Sequence, residues 1–119
     1  MNQAQSKTVF FAFRGDAMCF IHVLLNGLDM AEQGMEGKIV IEGEAVRLVP
    51  AMAAREHFLH QPFVRAREQG LIVGACRACS TKLGVADAVS RTGVELIGDM
   101  AGHPAMAPWL KQGYRILTF

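Results

Sequence analysis

Cysteine is scarce and odd in number, three in 119 residues, which excludes a disulfide scaffold as the source of stability. Tryptophan and tyrosine occur once each, and no basic cluster interleaves with aromatics, so the stacking platform that binds single-stranded nucleic acid is missing. Neither sign of charge dominates: twelve Lys and Arg stand against eleven Asp and Glu. No nucleic-acid partner and no acidic membrane surface is therefore expected. No apolar run reaches the ~18 residues of a membrane-spanning helix, and Met1–Ser6 lacks the apolar core of a secretory leader. The expected location is cytoplasmic, where thiols stay reduced. The glycines form neither the dinucleotide nor the P-loop pattern, so no nucleotide fingerprint is present.

What is present is a regular alternation of short apolar runs and amphipathic stretches. Lys7–Phe13 reads as a buried strand, rich in β-branched and aromatic residues. Arg14-Gly15-Asp16 makes a turn whose Asp16 caps a helix running to Gln33, with Ile21, Leu24, Leu25 and Leu28 on its apolar face. Lys38–Glu42 is a second strand. A turn and short helix cover 43–54, and a second helical stretch spans 56–69, with Pro62 as a kink or restart. Leu71–Ala75 is the third strand, 77–83 and 86–91 are helical, and Val94–Ile97 is the fourth strand. Pro104 opens a last helix to Gln112, and Tyr114–Phe119 is the fifth strand. Strands of nearly continuous apolar character separated by helices predict one α/β domain over 1–119. Its architecture is three-layered and flavodoxin-like: a mostly parallel five-stranded sheet with helices on both faces.

Chemistry centres on Cys76 and Cys79. Cys76 stands where the third strand ends and a helix begins, and open α/β sheets gather ligands at that edge. A helix start is electropositive and favours the thiolate, the reactive form of cysteine. Arg77 and Lys82 add positive charge nearby. Cys79 lies one helical turn on, where it can resolve a persulfide or sulfenic acid on Cys76, share a metal with it, or simply pack. The alternative for both is a small buried hydrophobe. A zinc site commonly needs two close-spaced pairs. This chain has one, with only His103 and Cys19 to complete it, so no metal ligand set is predicted.

His103, in the loop after the fourth strand, falls at the same edge of the sheet and is either a proton donor and acceptor or a loop cap. Arg14, after the first strand, can hold an anion there. If the first strand lies beside the third, Cys19 and His22 approach Cys76; the alternative, preferred for Cys19 because free cysteines are usually buried, places Cys19 in the core and His22 in a helical hydrogen bond. His57 and His60 read as solvated, and the scattered methionines as core or interface filler.

Ile72-Val73-Gly74-Ala75-Cys76-Arg77-Ala78-Cys79-Ser80-Thr81-Lys82-Leu83-Gly84-Val85 resembles the DsrE/DsrF-like sulfur-relay family. So does the order of elements. Asp99–Pro104 and the ending Gly113–Phe119 look like one branch of DsrE-like proteins. The resemblance implies a parallel α/β sheet, assembly as trimers or hexamers, and a sulfur-carrying cysteine just after the third strand, where Cys76 stands. Cys79 matches a second cysteine found in some members only.

The expectation is a sulfurtransferase-like carrier that holds sulfane sulfur as a persulfide on Cys76 and requires no organic cofactor. Its partners would be sulfur donor and acceptor proteins or small thiols. Arg77 and Lys82 would steady the anion, Arg14 would assist substrate binding, Cys79 would release the sulfur and His103 would shuttle protons. The alternative is a non-enzymatic oligomeric interaction protein with a redox-sensitive or metal-binding Cys76/Cys79 pair.

Overall fold

Five strands form one sheet: β1 (Lys7–Ala12), β2 (Glu36–Ile41), β3 (Ile72–Cys76), β4 (Leu96–Ile97) and β5 (Arg115–Thr118). Every pairing is parallel, in the order β4-β3-β2-β1-β5. The helices are α1 (Ala17–Glu32), α2 (Leu48–Ala53), α3 (His60–Glu68), α4 (Arg77–Lys82), α5 (Ala86–Arg91) and α6 (Ala107–Lys111), with a 3-10 turn over Gly43–Arg47. This computed structural model describes residues 6–119; Met1–Gln5, most of the polar segment weighed above for a leader, lie outside the described residues. No helix among the described residues is long and apolar enough to cross a membrane.

The alternation of side chains along parallel strands divides the core in two. Phe10, Ala12, Ile39 and Ile41 face a large cluster with Phe20, Leu24, Met52 and Phe63 from α1 to α3. Val9, Phe11 and Val40 face a smaller one with Tyr114, Trp109 and Met106, around α6. Both faces carry helices, unequally. Burying Phe10 or Phe63, each almost fully enclosed, stabilises by about 3–5 kcal/mol relative to alanine. Asp16 caps α1, its side chain accepting from the Met18 amide at 2.9 Å. Gly27, inside α1, packs against Gly37 of β2: a Cβ on Gly27 would stand 3.3 Å from the Gly37 carbonyl oxygen. That close approach explains a glycine where helix propensity opposes one.

Several boundaries differ from expectation. Only Leu96 and Ile97 of the 94–97 run join the sheet. The 56–69 helix starts at His60, so Pro62 falls in its first turn, where a missing N–H is tolerated, and restarts rather than kinks the helix. The last helix starts at Ala107, and Pro108 rather than Pro104 occupies its first turn. Most consequential for the site, β2 separates β1 from β3.

Candidate functional site

The site is built at the carboxyl edge of β2 and β3. The register runs Ile39 to Ile72, then shifts so that Val40 pairs with Gly74 and Ile41 with Ala75. Val73 is the extra residue of a bulge, a device that re-aims side chains near functional sites. Continuing the shifted register sets Glu42 beside Cys76; without the bulge it would stand beside Ala75. Gly43 then turns the chain at φ +52°, where a Cβ would lie 3.0 Å from the Phe13 carbonyl oxygen. Glu42 is thereby held at the sheet edge, buried, with its amide donating to the Ala12 carbonyl at 2.7 Å.

Cys76 ends β3 and caps α4: its Sγ accepts from the Cys79 amide at 3.3 Å. It is fully buried. His103 reaches it from a tight turn, Met100–His103, closed by paired backbone bonds of 2.8 and 2.9 Å. Ala101 and Gly102 adopt φ +50° and +89° there, and the Gly102 carbonyl accepts from the Ala78 amide at 2.9 Å. This ties the turn to α4 and leaves His103 Nδ1 3.1 Å from Cys76 Sγ and 3.9 Å from Cys79 Sγ. One donor atom from each of Glu42, Cys76, Cys79 and His103 lies within 4.8 Å of all the others.

Two cavities meet at His103. One, of about 370 Å³, is lined by Glu44, Cys79, Lys82, Leu83 and His103 among others. The other, of about 440 Å³, is lined by Phe13, Glu42, Met100, His103 and Met106 among others. Cys79, half-buried, is the thiol that lines an opening; Cys76 lies behind it.

The electrostatics differ from the expected activated thiolate. Burial pushes the Cys76 thiol up to about 12; the Cys79 amide bond opposes the rise, and the Cys79 thiol and the Glu42 charge add to it. α4 has only six residues, too short to override desolvation of a thiolate. Burial likewise raises the Glu42 carboxyl above its usual range, against a Cys76 hydrogen bond and the nearby His103, which lower it.

The structure joins Cys76, Cys79 and His103, and sets Lys82 at the mouth. Arg77 is exposed and folds over Gly98, where a Cβ would stand 2.7 Å from its Nη1. Arg14 is exposed on the loop after β1 and lines neither cavity. Cys19 is a half-buried free cysteine of α1, outside the four-donor group; β2 stands between β1, which leads into α1, and β3. His22 is exposed, and its carbonyl accepts from Asn26 Nδ2 at 2.7 Å. His57 and His60 are half-buried rather than solvated: the Leu59 amide donates to His57 Nδ1 at 3.0 Å, and His60 Nδ1 pairs with the Met52 carbonyl at 2.9 Å. Glu42 is the residue sequence reasoning missed: it follows the second strand as Cys76 closes the third, but a charge at that place ordinarily reads as solvated.

No protein-family model matches the sequence. The chain is 30% identical over 97 residues to an uncharacterized protein of Methanocaldococcus jannaschii, covering 82% of this chain and 77% of that protein. It is 41% identical over 39 residues to an uncharacterized protein of Archaeoglobus fulgidus, covering 33% of this chain and 64% of that one. A solved structure of a conserved protein of unknown function from Bacteroides thetaiotaomicron superposes with a TM-score of 0.72 over 98% of this chain and 100% of its own, at 19% identity. At that identity the likeness concerns the fold.

Proposed function

This chain belongs to the family of the Methanocaldococcus jannaschii protein, and we propose that it carries sulfane sulfur as a persulfide on Cys76 and passes it to an acceptor thiol. The observation that carries this reading is the 3.1 Å contact between Cys76 Sγ and His103 Nδ1. A buried thiol with a raised pKa needs a base at hydrogen-bond distance to become a nucleophile. With its Nε2 protonated, His103 presents Nδ1 as that base. The resemblance of Ile72–Val85 to the sulfur-relay family supports the same residue.

In the proposed step His103 Nδ1 takes the Cys76 proton as the thiolate attacks the outer sulfur of a donor persulfide. The donor's S–S bond breaks, its thiolate leaves, and the proton held on His103 passes to it. The products are the Cys76 persulfide and the donor thiol. The reverse exchange delivers sulfur to an acceptor thiol, with no net redox change. Alternatively the Cys79 thiolate attacks Cys76 Sγ, forming a Cys76–Cys79 disulfide and releasing hydrosulfide; an external dithiol must then reduce the pair. Lys82 at the mouth offers an arriving sulfur anion its cation. The reading sets the protein in the reducing cytoplasm as a homo-oligomer, a trimer or hexamer by the resemblance. Exposed Leu110 and Leu117 favour assembly, and a clean monomer in light scattering at micromolar concentration counts against it.

The test is mass spectrometry of reduced protein after brief exposure to a small persulfide. Trypsin cleaves after Arg77 and so separates the two cysteines. One reductant-removable sulfur on the Cys76 peptide, lost in Cys76→Ser while fold and assembly persist, supports the carrier. Sulfur on Cys79 alone, or none, overturns it. The second reading, an interaction protein with a metal-stabilised pair, is favoured by the four gathered donors.

A further inference from the structure

We infer that Glu42, Cys76, Cys79 and His103 form a closed binding site for one zinc ion. Four donors from three separate segments converge with all ligand atoms within 4.8 Å of one another. In a tetrahedral zinc site, with Zn–S near 2.3 Å and Zn–N near 2.0 Å, neighbouring S and N atoms stand about 3.5 Å apart. The distances from His103 Nδ1 to the two sulfurs, 3.1 and 3.9 Å, bracket that edge. The metal-free cluster is thus within a fraction of an ångström of ligand geometry on these two sides.

Charge supplies an independent argument. Glu42 is a buried carboxyl, and among the described residues no lysine or arginine forms an ion pair with it. A buried carboxyl beside two thiols, with no lysine or arginine to balance it, is an arrangement that a divalent ion completes. The donor set selects the ion. Two sulfurs and an imidazole suit zinc, whereas magnesium and calcium take six or more oxygens and would find one carboxylate. Four protein ligands leave no open position, the pattern of a structural rather than a catalytic zinc. On binding, each thiol gives its proton to water as its Zn–S bond forms, so affinity rises with pH.

The ion would clamp the end of β2, the start of α4 and the Met100–His103 turn together. It would also occupy both thiols and exclude sulfur from Cys76; that consequence, unlike the site itself, rests on the persulfide reading.

The experiment is an anaerobic titration of reduced, chelator-treated protein with Co²⁺, followed by displacement with Zn²⁺. The expected result is one Co²⁺ per chain, with a thiolate charge-transfer band in the near ultraviolet and the intense visible absorption of tetrahedral cobalt, both abolished by one equivalent of Zn²⁺. Cys79→Ser and Glu42→Gln should each weaken binding by more than about tenfold. Absence of the thiolate band from wild-type protein at equimolar, micromolar cobalt overturns the site, as does wild-type affinity in both variants. No sulfur donor is used, so failure here leaves the persulfide test standing on its own result.

Discussion

His103 Nδ1 stands 3.1 Å from Cys76 Sγ although 27 residues separate them in the chain. The approach is made by backbone: the Met100–His103 turn is closed on itself and tied to α4 through the Gly102 carbonyl and the Ala78 amide. His103 is therefore placed by the fold rather than by a flexible loop, as a general base must be. Replacing it by glutamine keeps a polar side chain but removes the base. We expect His103→Gln to slow persulfide loading about a hundredfold at neutral pH. The deficit should narrow as pH rises toward the Cys76 pKa near 12, because the thiol then ionises unaided. Loading rates by mass spectrometry across a pH series check this; an unchanged rate at neutral pH shows that His103 does not handle the proton.

Gly74 is where β4 meets the bulged strand. A Cβ there would lie 2.5 Å from Ile97 Cδ1 and 2.7 Å from the Glu95 carbonyl oxygen. The isoleucine can rotate; the carbonyl belongs to the backbone that bonds the Ala75 amide at 2.8 Å. Gly74→Ala should therefore lower stability by about 1–3 kcal/mol and loosen the two-residue β4. Urea unfolding measures the loss, and a neutral effect would show that β4 shifts freely.

How much of this was legible in the sequence follows from which contacts were local. Apolar runs such as Val9–Ala12 and Ile39–Ile41 announced the strands, and Asp16 announced the start of α1. Cys76 and His103 could be placed at one edge because each follows a strand. Glu42 could not be assigned: a charged residue closing an apolar strand is ordinarily solvated, and only the order β3-β2-β1 and the bulge at Val73 bury it beside a thiol. The same order keeps Cys19 away from Cys76, an approach open to it only with the first and third strands as neighbours. The raised thiol pKa was hidden as well, since a helix start is visible in sequence and complete burial is not. Nothing in Met100-Ala101-Gly102-His103 signals that an alanine takes a left-handed conformation, so the region read as a loop running directly into a helix at Pro104.

That alanine is itself testable. A non-glycine residue at φ +50° carries a local penalty of about 1 kcal/mol that glycine does not. Ala101→Gly should raise stability slightly, or leave it level once the added freedom of the unfolded chain is counted. Gly102→Ala should do the opposite. It forces φ +89° on a residue with a Cβ, and that Cβ would stand 3.3 Å from Ala78 Cβ. The expected cost is about 1–2 kcal/mol, with slower sulfur loading as His103 is displaced. Thermal unfolding and loading rates should fall in Gly102→Ala and hold or rise in Ala101→Gly; a parallel loss in both would show that the turn's conformation is not what holds the site.

The pH dependence of stability isolates Glu42. Its carboxyl is raised above the ordinary 4.5 chiefly by burial. The folded state of the metal-free protein then binds more protons than the unfolded state between 4.5 and the raised value. Stability is highest below that window, falls as pH rises through it, and stays lowered above it. Cys76 repeats the pattern in alkali, with stability falling from pH 9.0 toward about 12. In chelator, Glu42→Gln should flatten the acidic slope and be more stable than wild type at neutral pH, by about 1 kcal/mol. Cys76→Ser should flatten the alkaline slope. Adding zinc should reverse the first comparison, because the wild-type carboxylate then has a cation to meet and the glutamine does not. Urea titrations of the three proteins at several pH values, with chelator and with zinc, make these comparisons. A Glu42→Gln protein less stable than wild type in chelator across the whole range would mean that its hydrogen bonding, rather than its desolvation, governs the buried carboxyl.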